Sequence, residues 1–183
     1  MSLAGRHQKM QNFEPDKTGN YHYVGNWQIL RSDAKQETRT VSILLALLIA
    51  GILAVGLIPG SVNHLWYVMG PYAFTFLTAG VSTYYCVSFM ISHWVLMEQE
   101  HKRGIGTVSV LLLLTVFLMG FAAIGQIVSF FIISERKLLP DILIAVAAWI
   151  ACIAAAILRH RVKHRWHFEL ISEKERQEYV KSV

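Results

Sequence analysis

Five histidines supply the first candidate chemistry. His160, His164 and His167 stand at i, i+4 and i+7, one face of a helix, and His93 and His101 flank Glu98 and Glu100. Neutral imidazoles beside carboxylates are ligands for a transition metal. Histidine spacing alone does not specify a metal site. Arg159, Arg161 and Arg165 interleave with the later three, and their charge opposes a divalent cation. The plainer reading of these imidazoles is a titratable part of a basic collar, with no cofactor bound.

Cys86 and Cys152 are the two thiols. There is no Cys-x-x-Cys pair, so disulfide exchange is not indicated and both read as small apolar residues. A polar stripe is the third candidate. Thr75, Ala79, Ser82, Cys86 and His93 share one helix face, with Thr78, Tyr84 and Tyr85 nearby, and Gln126 and Trp149 stand in later apolar runs. Counted by depth, Gln126 is level with Thr75 and Thr78, and Trp149 with Tyr84 and Tyr85. Buried Tyr and Trp need partners for O–H and N–H, so these are expected to meet inside a bundle. Such a stripe is either a path for a substrate or lipid headgroup, or interhelical glue at about 0.6 kcal/mol per bond.

The elements that position these groups follow from charge. Between Arg39 and Glu98 lie 58 residues without one Asp, Glu, Lys or Arg, and further uncharged runs cover Gly104–Ser134 and Ile142–Leu158. A span of the hydrocarbon core takes about 20 apolar residues, so this is an integral membrane protein. Pro59-Gly60-Ser61 breaks the long run. Four spans result, at about 41–58, 66–97, 105–133 and 142–158, with Pro140 tolerated in a first helical turn. The expected fold is all-α: an integral membrane four-helix bundle, up-down-up-down. No Asp, Glu, Lys or Arg falls inside a span, which argues against carriers and proteases built on buried carboxylates.

Four spans put both termini on one side. That side holds 15 Lys and Arg: six before span one, two in the loop after span two and seven after span four. The other side holds two, Arg136 and Lys137. The positive side is cytoplasmic, so both termini are expected there, with a plasma or bacterial inner membrane as the location. No cleavable leader is visible in the polar first 40 residues.

Outside the spans, residues 1–40 read as a cytoplasmic segment, a polar tether over Met1–Asn20 followed by a possible interfacial helix at 21–30. There Tyr23, Trp27 and Leu30 fall at helical spacing. Residues 159–183 read as a basic cytoplasmic helix. Arg159, Arg161, Lys163 and Arg165 with Trp166 are expected to bind anionic lipid headgroups, each cation worth about 1 kcal/mol. No nucleic-acid module accompanies this patch, so no nucleic-acid partner is expected. Ala147, Ala151 and Ala155 recur every four residues beside Ala148, Cys152 and Ala156. Span one offers Ala46, Ala50 and Ala54 with Gly51 and Gly56. Small residues allow close helix approach, so spans one and four should pack together or against another subunit.

Three function classes follow. The first is a non-enzymatic subunit or scaffold of a membrane complex, working through other membrane protein subunits or as a homo-oligomer. The second is a small oligomeric transporter or channel along span two. The third is a metal-dependent enzyme using the histidines.

Overall fold

A computed structural model describes residues 13–15, 21–23, 25–30, 33–61, 65–132 and 137–182. Four long helices form a bundle: α1 (Ala34–Leu57), α2 (Trp66–Ile91), α3 (Glu98–Ile132) and α4 (Leu138–His164). All four are long and apolar enough to cross a membrane, and the chain is a multi-pass membrane protein. Their outer rows, among them Phe74, Phe76, Phe117, Phe121 and Ile153, are exposed. Such a continuous apolar surface would be an aggregation patch in water and is the lipid face of a bundle.

Local chemistry sets the helix ends. The Asp33 carboxylate caps α1, accepting the Lys35 and Gln36 N–H groups at 3.0 and 3.3 Å. Ile58, which precedes Pro59, is extended and ends that helix. α2 stops at Ile91, six residues short of the expected limit. His93 and Trp94 adopt φ of 52° and 61°, a turn that bulky side chains rarely make. α3 has 35 residues, about 52 Å at 1.5 Å per residue, so it overshoots the apolar core. Its charged residues Glu98, Glu100, Lys102 and Arg103 fall in that overshoot.

Around the bundle the neighbours run α1, α4, α3, α2, and the sequential pair α1–α2 touches least of the bundle's neighbours. Spans one and four do pack together. A Cβ added at Gly51 would lie 2.8 Å from the Ala147 carbonyl oxygen and 2.8 Å from the Ala151 Cβ. Ala151 is buried there beside the half-buried Ala147, whereas Ala46 and Ala50 face outward. Gly51, rather than the alanine row of span one, makes the approach.

The segments at the end of the bundle that carries the termini are not purely helical, contrary to the all-α expectation. Trp27–Leu30 (β3) is the centre of a three-stranded antiparallel sheet, flanked by Val95–Met97 (β4) and Phe168–Ile171 (β5). Phe13–Pro15 (β1) pairs with Tyr21–Tyr23 (β2). The interfacial helix expected at 21–30 is therefore strand. A spacing of three puts Trp27 and Leu30 on opposite sheet faces: Trp27 lies on one with Val95 and Met97, while Leu30 lies on the other with Leu96 and Phe168. Gly25 and Asn26 supply the break between β2 and β3. The tether expected over Met1–Asn20 lies outside the described residues except at β1.

The basic helix expected to run to the end of the chain stops at His164. β5 and then α5 (Glu173–Ser182) follow. α5 opens with a capping box. Glu175 accepts the Ser172 N–H and O–H at 2.8 and 2.9 Å, and its own N–H faces the Ser172 hydroxyl.

Candidate functional site

The polar stripe of α2 faces inward at Thr75, Ser82 and Cys86, all buried with Ala79 between them. Each hydroxyl has an acceptor. Thr75 donates to the Pro71 carbonyl at 2.9 Å, Ser82 to the Thr78 carbonyl at 2.8 Å and Thr115 to the Leu111 carbonyl at 2.9 Å. Thr78 and Thr115 join across the α2–α3 contact at 2.9 Å. Back-bonding of this kind satisfies the hydroxyl within its own helix.

Three expected neighbours are placed elsewhere. Gly125 packs against Tyr67 and Val68, so Gln126 sits about two turns outward of Thr75 and not level with it. The Gln126 amide is 1% exposed, and among the described residues neither its oxygen nor its nitrogen has a partner. Tyr84 is 70% and Trp149 44% exposed, so they do not meet inside the bundle. Tyr84 lies off the Ser82–Cys86 row. Tyr85 is half-buried beside Tyr84, ring centroids 5.7 Å apart. Both cysteines are free, and Cys152 lies 3.7 Å from the Val116 carbonyl, about two turns from the level of Cys86.

His93 and His101 stand apart from the histidines of α4, of which His164 lines one cleft together with His167. His160 and His164 stack at 4.7 Å on α4, His101 packs against Phe168 at 4.6 Å, and His93 and His167 are exposed. Among the described residues no group of three His, Cys, Asp or Glu is placed to hold a metal. Arg159 and Arg161 are partly covered and Lys163 and Arg165 are exposed. Trp166 is buried against Trp94 and Phe89, with centroids 4.9 and 6.1 Å away. It belongs to the core beneath the sheet rather than to the surface collar.

Two buried acids stand out that sequence reasoning passed over. Asp141, in the first turn of α4, accepts the Ser61 N–H at 2.7 Å, while Lys137 N–H donates to the Ser61 hydroxyl at 2.9 Å. These bonds join the two loops at the far end of the bundle. Glu37, in the first turn of α1, accepts Arg161 Nη1 at 2.8 Å. An acid in the first turn of a helix was the available signal, since it complements the helix dipole. Trp94 is a third. Its Nε1–H donates to Thr38 Oγ1 at 2.8 Å, which ties the turn after α2 to α1 and holds the left-handed backbone in place.

Two clefts open at the end that carries the termini. One, of about 690 Å³, is lined by Asp33, Gln36, Glu37, Arg161, His164, Arg165 and His167. The other, of about 500 Å³, lies between α2, α3 and the β1–β2 hairpin and includes Tyr84, Tyr85, Ser88, Ser92, Glu100 and Arg103. A smaller apolar groove of about 220 Å³ marks the loose α1–α2 seam, lined by Ile49, Ile52, Leu53, Phe76, Ala79, Gly80 and Thr83. No family model matches the chain, and neither does any curated protein or solved structure.

Proposed function

We propose that this chain is a non-enzymatic subunit or scaffold of a membrane complex, and that its three-stranded sheet is the contact platform on the cytoplasmic side. One observation carries the reading. Three segments far apart in sequence, before α1, between α2 and α3 and after α4, converge on one sheet. β5 is an edge strand of that sheet, with Glu169 and Leu170 exposed. An edge strand offers unpaired N–H and C=O groups to a partner strand, from another subunit or a second copy. The hydroxyls of the α2 stripe support the same reading, because they bond to backbone or to one another and so act as packing contacts.

The test is a photo-crosslinking amino acid at Leu170 in the full chain, with lipid-facing Phe117 as the control position. A discrete protein adduct from Leu170 alone is the expected result. Adduct-free protein that is also monomeric by native mass spectrometry after mild-detergent purification would sink the reading.

A second reading, a small oligomeric transporter or channel, draws on the unpartnered Gln126 amide. Cysteine substitutions at Thr75, Ser82 and Gln126 test it with a water-soluble thiol reagent. Labelling at all three supports a wetted path, and protection at all three in every condition removes it.

A further inference from the structure

We propose that the cleft between the start of α1 and the end of α4 binds a phosphoethanolamine group, the headgroup of an ethanolamine phospholipid. Glu37 is 7% exposed, and only one of its carboxylate oxygens is used, by Arg161. The other, Oε2, has no partner among the described residues. A buried carboxylate oxygen without a donor is costly, so a donor belongs there. The helix dipoles explain why acids start α1 and bases end α4, and why Glu37 meets Arg161. They do not explain the oxygen left over.

The cleft dictates the donor. It is lined on the α1 side by Asp33 and Glu37, which favour a cation, and on the α4 side by Arg161, His164 and Arg165, which favour an anion. Both backbone N–H groups at Asp33 go to one oxygen, Oδ1, and Asp33 is exposed, so water serves the rest of its carboxylate and the ammonium goes to the buried Glu37. A phosphate two carbons away then meets Arg165 and the imidazoles, as phosphates meet guanidinium groups elsewhere. Depth fits as well. Arg39 and Arg159 bound the charge-free runs of spans one and four, so Glu37 and Arg161 stand in the headgroup layer just outside the apolar core. A choline headgroup has no N–H for Glu37, and a glycerol headgroup has no cation. The site is distinct from the edge of β5 and does not rest on the scaffold reading.

The experiment is native mass spectrometry of the full chain with equal amounts of ethanolamine, choline and glycerol phospholipids of identical acyl chains. The expected result is retention of the ethanolamine lipid about tenfold over the choline lipid, the worth of one charge-assisted hydrogen bond. Glu37→Gln keeps a carbonyl oxygen for Arg161 and should bring the ratio near parity. Glu100→Gln, in the other cleft, should leave it unchanged. Should Glu37→Gln fail to fold, stepwise N-methylation of the lipid tests the donor requirement on the wild type, with retention lost at the trimethyl stage. Soluble O-phosphoethanolamine separates the sources: an adduct without lipid preference assigns the cleft to a free aminophosphate. Equal retention of all three lipids, or preference for the glycerol lipid, with no soluble adduct, overturns the site.

Discussion

Single residues decide how closely the helices approach. At Gly51 the added Cβ would meet backbone and another Cβ, neither of which can swing away. At Gly80 nothing lies within 4 Å of an added Cβ. Gly51→Ala should therefore destabilise the bundle by about 1–3 kcal/mol through overpacking. Gly80→Ala should be neutral or slightly stabilising, because alanine restricts the unfolded chain. Thermal unfolding in one detergent checks the pair, and equal melting of the two variants would remove Gly51 as the contact point. The small-residue spacing was legible in the sequence because close approach has few chemical solutions. Which small residue makes the contact was not, since Ala46, Ala50 and Gly51 differ only in helical phase, and packing fixes phase. Gln126 failed for a related reason. Depth counted from the expected span limits ignores that α3 starts about two turns ahead of residue 105.

At the scale of elements, the spans were legible because apolar length has one physical meaning in a membrane. The sheet was not. β4 and β5 have 3 and 4 residues, too few for a period to register, and their partner is distant in sequence. Tyr23 and Trp27, four residues apart, are compatible with either period. Tertiary pairing decided between them. α5 is a different case, since Ser172-x-x-Glu175 is a readable capping box. The two Ser172 hydrogen bonds hold the Glu175 carboxyl below its ordinary value of 4.5. A lowered carboxyl stabilises the folded helix at pH above the unfolded value, and that contribution disappears as pH falls through the folded one. Protection of the α5 amides in hydrogen exchange, corrected for intrinsic rates, should thus be flat above pH 5 and drop below about 4.5. Glu175→Gln should show reduced protection at neutral pH and a shallower acid drop. Identical profiles for the two proteins would mean that the box does not hold the helix end.

The whole molecule is tied at both ends by bonds between distant segments. At one end β3, β4 and β5 share a sheet; at the other Ser61 bonds to Asp141 and Lys137. This arrangement assigns the segments before α1, between α2 and α3, and after α4 to one side of the bundle, and the two remaining loops to the opposite side. The positive-inside rule then predicts that the sheet side is cytoplasmic, since 15 of the 17 Lys and Arg belong to those three segments. Exposed positions on each side make the test direct. Pro59→Cys stands in the loop after α1 and Glu169→Cys on β5. The native Cys86 and Cys152 lie within α2 and α4 and give the background. A membrane-impermeant maleimide applied to intact cells should label Pro59→Cys, whereas Glu169→Cys should react only after permeabilisation. The reverse pattern would invert the orientation and move the Glu37 cleft to the outer leaflet, where the lipid it meets would differ. Labelling of both in intact cells would contradict the even number of crossings itself, because the sheet and the Ser61 loop would then share one side.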